Sequence, residues 1–245
     1  MRYSRWAPLY DEIRADFGYP FDREEEAART LERLLPPAAR ERPWERLKTR
    51  LRGREAIVVG LGPGAGPPPI WRLPPSSPGP AVVAADGATR TCLEAGVVPS
   101  VVVTDLDGPV SSEVEANGRG ALVVVHAHGD NVRALEQWVP QFPGELVGSW
   151  AGPPRPALVN PGGFTDGDRA AYLAEEAGAR RVLLWGFDLE SVEETEPRAQ
   201  ELKRRKLRWA ARALSELADQ GRVPLAFWRR DGSFAQVGSS ARSTR

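Results

Sequence analysis

An α/β fold is predicted for this chain: a mostly parallel, Rossmann-like sheet with helices on both faces, plus a small N-terminal helical unit. Three observations carry that prediction. From Glu55 onward, short apolar runs alternate with helical or loop segments, the pattern of a parallel sheet covered on both faces. The runs are apolar at every position rather than at every second one, as in strands buried on both sides. The first fifty residues instead carry apolar side chains only at helical spacing.

In order, Trp6, Leu9, Tyr10, Ile13 and Phe17 line one face of a helix over 5–17. Asp22 followed by Glu25 fits an N-cap with a reciprocating partner, opening a second helix that runs through Leu31, Leu34 and Leu35. Pro43 suits a first helical position, with Trp44, Leu47 and Leu51 on one stripe. Strands are expected at 56–60, 81–85, 101–104, 122–125, 157–159, 182–185 and 223–228. Helices between them, at 89–94, 109–116, 130–139 and 165–177, each meet a Gly, Asn-Gly or Pro stop. A longer helix follows Pro197, with Leu202, Leu207, Ala210, Leu214 and Leu217 inward and a stop at Gly221. The expected organisation is a helical unit over 1–52, an α/β catalytic domain over 53–230 and a tail over 231–245, loose from 239. Residues 67–80 hold seven prolines in fourteen positions, which excludes helix and central strand and predicts an extended surface loop or flap.

Lysine plus arginine balances aspartate plus glutamate at 33 each, so no global charge points to nucleic acid or membrane. The single cysteine, Cys92, excludes an internal disulfide, reads as a small core residue and points to a reducing compartment. No apolar run approaches the roughly 18 residues of a membrane span, and Met1-Arg-Tyr-Ser-Arg carries no signal-peptide pattern, so none is expected. A soluble, cytoplasmic protein is expected. Richness in arginine and proline, with one methionine, fits either a thermophile or a GC-rich genome.

The chemistry concentrates at strand ends. Val101-Val-Val-Thr runs into Asp105-Leu-Asp-Gly108, and ligands of open parallel sheets sit just beyond the strand C-termini. Two carboxylates there repel each other unless a cation or a proton lies between them. A divalent metal resolves this most simply, and hard cations such as magnesium take oxygen ligands. Asp86-Gly87 closes the second strand, and His126-Ala-His-Gly-Asp-Asn131 follows the fourth. Gly162-Gly-Phe-Thr-Asp-Gly-Asp-Arg169 and Gly186-Phe-Asp188 follow later strands. Each motif has a plain structural reading: Asp130 as a helix cap, Thr165 with Asp168 as a capping box, Asp86-Gly87 as a turn. Five acidic strand ends in succession nevertheless point to a functional edge.

His126 and His128 occupy alternate positions, so one can face the site and the other the core. They read either as polar contacts to substrate or phosphate, or as zinc ligands beside a carboxylate. Gly60-Leu-Gly-Pro-Gly-Ala-Gly66 reads equally as a flexible turn or a phosphate loop; prolines rather than a helix follow it. Lys203, Arg204, Arg205, Lys206 and Arg208 form either a solvated face balanced by Glu201 or a contact to anionic phosphates.

Ala85-Asp-Gly-Ala88, Thr104-Asp-Leu-Asp-Gly108, His126-Ala-His-Gly-Asp-Asn131, Gly163-Phe-Thr-Asp-Gly-Asp-Arg169 and Gly186-Phe-Asp188 together resemble the archaeal-type 6-hydroxymethyl-7,8-dihydropterin pyrophosphokinases. The N-terminal helices and the 203–207 region extend the likeness over most of the chain. The order of acidic motifs is also similar to thiamin pyrophosphokinase. The resemblance implies transfer of a diphosphate from ATP to a hydroxymethyl group, leaving AMP, in tetrahydromethanopterin or folate biosynthesis, with Mg2+ as cofactor. It implies Asp105 and Asp107 as magnesium ligands, with Asp130 and Asp166 completing the catalytic and metal-binding carboxylate cluster. Asp107 is the carboxylate expected to orient or deprotonate the attacking hydroxyl. Gly60, Gly62, Gly64, Asp86, Gly87, His128, Asn131, Thr165, Asp168, Arg169, Lys203 and Lys206 are the expected nucleotide and substrate contacts. Phe164 and Trp71 are candidates for stacking on the pterin. The partners implied are ATP and a pterin, without nucleic acid or membrane; a homodimer is allowed. One departure from the family is the proline-rich segment after Gly62-Pro-Gly64, where a helix would usually follow.

Two other classes fit single motifs. A strand ending in Asp-x-Asp-Gly also resembles the haloacid-dehalogenase-type phosphatases, whose first aspartate is a nucleophile. Those enzymes place the motif on the first strand and use a later lysine or arginine; here it lies on the third, with no lysine between Lys48 and Lys203. A non-catalytic nucleotide- or metal-binding module would show the same acids without an acceptor site.

Overall fold

Strands whose every residue is buried must find neighbours on both edges and cover on both faces. The computed structural model, which describes residues 3–63, 65–73 and 79–238, meets that need with one nine-stranded sheet. Its strands are β1 (Glu55–Val59), β2 (Ala81–Ala85), β3 (Val101–Thr104), β4 (Leu122–Ala127), β5 (Leu146–Trp150), β6 (Leu158–Val159), β7 (Arg181–Trp185), β8 (Leu225–Trp228) and β9 (Phe234–Gln236). They lie in the order β6-β5-β4-β3-β2-β1-β7-β8-β9, all parallel except the antiparallel β8–β9 pair. The helices are α1 (Tyr3–Phe17), α2 (Phe21–Leu34), α3 (Pro37–Arg40), α4 (Pro43–Leu51), α5 (Ala88–Glu94), α6 (Val110–Gly118), α7 (Val132–Trp138), α8 (Asp166–Glu176) and α9 (Pro197–Gln220). The expected α/β architecture is therefore the one that forms.

Alternate strand residues feed opposite cores. On one face, Val58, Val83, Val103 and Val124 pack against Trp6, Leu9 and Ile13 of α1, Leu47 of α4, Tyr172 of α8 and Leu214 of α9. On the other, Val102, Val123 and Val125 pack against Ala27 and Leu31 of α2, Val110 of α6 and Leu135 of α7. Ile57, Val82 and Ala84 meet Ala88 and Cys92 of α5 on that same side. The N-terminal helices are thus divided between the sheet's two cores. Among the described residues, no helix is long and apolar enough to cross a membrane.

The chain winds outward from β1 to β6, then crosses back over the sheet through α8 to place β7 on the opposite edge of β1. The crevice beyond the carboxyl ends of β1 and β7 is therefore the topological switch point, where open α/β sheets take their ligands.

Four local expectations change. The strand β5 was not anticipated, because Gly148 and Ser149 have poor strand propensity. It forms because β4 pairs with it in register from Val123–Leu146 to Ala127–Trp150, and because α2 packs close to its surface. A Cβ on Gly148 would come within 2.8 Å of a Leu35 methyl and 3.2 Å of a Leu31 methyl. The edge strand β9, which pairs with β8, was also not anticipated. Pro20, not Asp22, caps α2, leaving Asp22 in the first turn, where its charge meets the positive helix end. Leu202 is 45% exposed, because the first turns of α9 extend past the core that Ala210, Ala213, Leu214 and Leu217 enter. In the proline-rich segment, a 3-10 turn forms at Ile70–Arg72, and residues 74–78 lie outside the described residues. Of the tail expected over 231–245, Phe234–Gln236 form β9, and the part expected to be loose, 239–245, lies outside the described residues.

Candidate active site

The carboxyl ends of β1, β2, β3, β4 and β7 open into a cleft of about 490 Å³. Residues 60–63 follow β1, Asp86 and Gly87 follow β2, and Asp105 and Asp107 follow β3. The end of β4 brings His126, His128 and Asp130, the start of α8 brings 164–167 and Arg169, and 186–189 follow β7. Lys203 and Lys206 reach in from α9, and Tyr10, Tyr19, Arg23 and Glu24 close the end formed by α1 and α2.

Asp86, Asp105 and Asp107 each place a carboxylate oxygen within 4.8 Å of the others. The backbone makes this convergence. Leu106 (φ 69°) and Asp86 (φ 43°) occupy the left-handed region that side chains rarely adopt, and such strain concentrates at functional sites. Leu106 N donates to Thr104 Oγ1 at 2.9 Å and Asp107 N to Asp105 Oδ1 at 3.2 Å, which fixes the turn. Gly108 is required by contact, because a Cβ there would run into the Asp86 carboxylate.

The charges are unbalanced. Burial raises Asp107, and the Asp105 and Asp86 carboxylates push it further up. Burial also opposes ionisation of Asp105, but the adjacent His128 outweighs it and holds this carboxyl low. Asp166, the first residue of α8, is raised well above the usual carboxylate range by burial and then by Asp105. One acid was missed by sequence reasoning. Glu113 of α6 is fully buried, neither of its carboxylate oxygens has a hydrogen-bond partner among the described residues, and burial, followed by the neighbouring Asp86 carboxylate, pushes it up to about 9. A carboxyl held this high favours its protonated form beside Asp86. Its spacing with Val110, Ala116 and Asn117 on the buried face of α6 is the signal that would have found it.

His128 is clasped between acids: Nε2 lies 3.3 Å from Asp105 Oδ2, and Nδ1 meets Asp130. The Asp105 contact is an ion pair rather than an aligned hydrogen bond. Burial lowers the imidazole pKa, but the two carboxylates outweigh it and raise it to about 9. His128 therefore stabilises the fold fully below its unfolded pKa, roughly 6.5, and that contribution is lost as pH rises through about 9. Without divalent cations, denaturant titrations from pH 6.5 to 9.5 should show wild type losing about 2 kcal/mol more than His128→Asn, after discounting for solvent screening. Glu113 contributes a fall of the same sign in both proteins, so the difference isolates His128. Equal slopes would refute the clasp.

His126 is buried, contacts Ser149 Oγ at 3.0 Å, and is driven well below its usual pKa by burial and then by Arg169. Among the described residues, the close group with metal-ligand geometry contains carboxylates alone, not a histidine.

The predicted site residues divide into groups. Asp105, Asp107, Asp166, Asp86, Gly87, His128, Thr165, Arg169, Lys203 and Lys206 all line the cleft. Asp130 lines it too, yet its side chain is 79% exposed and engages His128, while Asp86 takes the third place beside Asp105 and Asp107. Asn131 does not line it: its amide donates to Asp105 O and His126 O, both at 2.8 Å, and its Oδ1 accepts from His128 N at 3.1 Å. It braces the ends of β3 and β4. Asp168 is fully buried beneath the cleft and accepts from Phe164 N at 2.6 Å, Thr165 N at 2.8 Å and Thr165 Oγ1. This is the capping box.

Gly60 and Gly62 line the cleft but donate their N–H groups to Trp185 O (2.9 Å) and Gly186 O (2.6 Å), so neither amide is turned to a ligand. Gly64 lies outside the described residues, as does the side chain of Trp71. In the basic cluster, Arg205 pairs with Asp16 at 2.9 Å and Arg208 with Glu201 at 3.4 Å, leaving the two lysines to the cleft. Phe164 lines the cleft with its ring 5.3 Å from that of Phe17.

Fold and site together define a Rossmann-like α/β protein with an acidic ligand cleft at its switch point. The chain belongs to the MptE-like family, whose model, described as 6-hydroxymethylpterin diphosphokinase MptE-like, matches residues 31–194. It is similar to the 6-hydroxymethyl-7,8-dihydropterin pyrophosphokinase of Methanothermobacter thermautotrophicus, at 37% identity over 238 residues covering 93% of this chain and 100% of that protein. The protein of the same name from Pyrococcus furiosus is 37% identical over 234 residues, 92% of this chain and 98% of its own. That from Methanocaldococcus jannaschii is 32% identical over 239 residues, 90% and 97%. This is the family that the acidic motifs resemble.

Proposed function

We propose that this protein transfers the diphosphate of ATP to the hydroxymethyl group of 6-hydroxymethyl-7,8-dihydropterin and releases AMP, a step of tetrahydromethanopterin or folate biosynthesis in the cytoplasm. The observation that carries the reading is the convergence of Asp86, Asp105 and Asp107 in a cleft that Lys203 and Lys206 also enter, in a chain of the MptE-like family.

Phosphoryl-type transfer depends on positioning and charge neutralisation rather than on covalent chemistry by the protein. The three converging carboxylates, with Asp107 pushed up by its neighbours, fit a hard divalent cation. Asp86, Asp105 and Asp107 would hold Mg2+, which supplies neutralisation of the diphosphate oxygens when bound. Lys203 and Lys206 neutralise phosphate oxygens from the α9 side. The N-terminal end of α8, at Thr165 and Asp166, faces the cleft and favours negative charge through the helix dipole. The hydroxymethyl oxygen attacks the β-phosphorus, its bond to the α-phosphate oxygen breaks, and AMP leaves. Asp107 orients the attacking hydroxyl and accepts its proton.

The full chain incubated with ATP, Mg2+ and either hydroxymethyl-dihydropterin, thiamin or water tests this. AMP should form only with the pterin, in step with its diphosphate ester. Acceptor-independent AMP, release of inorganic phosphate, or equal turnover of thiamin would each refute the reading.

A further inference from the structure

The end of the cleft closed by α1 and α2 carries unmet hydrogen-bonding groups of complementary kind. Glu24 is 3% exposed; its Oε1 accepts from Tyr10 OH at 2.6 Å, and its Oε2 has no hydrogen-bond partner among the described residues. Arg169 is 2% exposed; its Nη2 donates to Phe164 O at 2.9 Å, and its Nε and Nη1 have no hydrogen-bond partner among the described residues. Both residues line the cleft. Each buried polar group left without a partner costs about 1–3 kcal/mol, and more when charged. Such a cost is expected where a ligand completes the bonds. One free acceptor beside two free donors, on a wall that also carries Tyr19 and Phe164, describes a site for a flat ring with adjacent donors and an acceptor on one edge.

We propose that Glu24 and Arg169 read the pyrimidinone edge of the acceptor: Glu24 Oε2 accepts from the 2-amino and N3–H groups, and Arg169 donates to the 4-oxo oxygen. This rests on the reading of a pterin as the acceptor. The 6-hydroxymethyl group lies on the far side of the bicycle from that edge, so a ring seated on Glu24 directs its hydroxyl away from α2. His128 lines the same cleft, acts through its charge on Glu24 and lies 3.3 Å from Asp105, which links the recognition end of the cleft to the acidic end. Arg169, expected from the sequence among the nucleotide contacts, thereby becomes a specificity residue for the acceptor. Lys203 and Lys206 remain with the phosphates.

The test measures equilibrium binding of 6-hydroxymethylpterin and of 6-hydroxymethyllumazine, which carries an oxo group in place of the 2-amino group, by ring fluorescence with the full chain. A charge-assisted hydrogen bond is worth about 1.5–3 kcal/mol, so wild type should prefer the pterin by about tenfold or more. Glu24→Gln should weaken pterin binding by about tenfold and bring the two rings within about threefold of each other, with the KM for ATP unchanged. Arg169→Lys should weaken both rings alike, because both carry the 4-oxo group. Equal binding of the two rings by wild type overturns the assignment without any variant. An unchanged ratio in Glu24→Gln, or a raised KM for ATP in place of weaker pterin binding, also overturns it. In those cases pterin-dependent AMP formation by wild type leaves the parent reading intact, whereas failure to bind or turn over the pterin removes both.

Discussion

Replacing Asp105 with Asn is expected to reduce pterin-dependent AMP formation by about 10²–10³-fold, because neutralising charge at a transferring phosphoryl group is worth several kcal/mol and each 1.36 kcal/mol is tenfold in rate. The substitution keeps the shape of the turn, since an amide oxygen can still accept from Asp107 N, which donates to Asp105 at 3.2 Å. It removes the charge that draws His128 to 3.3 Å and that, after burial, raises Asp107. In Asp105→Asn, the pKa of Asp107 should therefore fall, His128 should titrate lower, and the divalent-cation requirement should rise. AMP measured by chromatography at saturating ATP and pterin gives the rate, and circular dichroism reports the fold. Activity within tenfold of wild type, in a folded variant, would refute a central role for this carboxylate.

The second large effect is on stability. Asp168→Ala should lower the unfolding free energy by about 3–5 kcal/mol, since each buried donor left unsatisfied costs about 1–3 kcal/mol and a lost cap about 1. Asp168 is fully buried and serves Phe164 N, Thr165 N and Thr165 Oγ1. Without it, two backbone amides at the start of α8 have no acceptor, and Thr165, Asp166 and Arg169 lose their anchorage in the cleft wall. Asp168→Asn keeps one carbonyl acceptor and should lose about half as much. Denaturant titration reads both variants directly. A loss below about 1 kcal/mol in Asp168→Ala would show that the capping box is not what holds this helix start.

Much of this was legible in the chain itself. Continuous runs such as Val101–Thr104 require burial on both faces, and that requirement selects a parallel sheet before any coordinate is known. The acids at 86, 105, 107, 166 and 188 line one cleft because parallel strands all end on the same side. Sequence reasoning failed where a residue's role depends on a partner distant in the chain. The strand β5 carries Gly-Ser where local preference argues against a strand, and its pairing with β4 overrides that preference. Asn131 and Asp168 look like ligands beside acidic motifs, yet their bonds go to backbone groups.

Spacing and residue type determined, by themselves, the α/β class, the acidic edge and the carboxylates Asp105 and Asp107, because local periodicity and short motifs express them. Only the tertiary structure decided that Asp86 rather than Asp130 completes the trio. It also decided that burial and Asp86 push Glu113 upward, and that α1 and α2 bring Tyr10, Tyr19 and Glu24 to close the far end. Those outcomes depend on strand register and on which helix crosses which strand. Chain-distant groups then share one desolvated space, where burial and neighbouring charge, rather than residue type, set protonation and free hydrogen-bonding capacity.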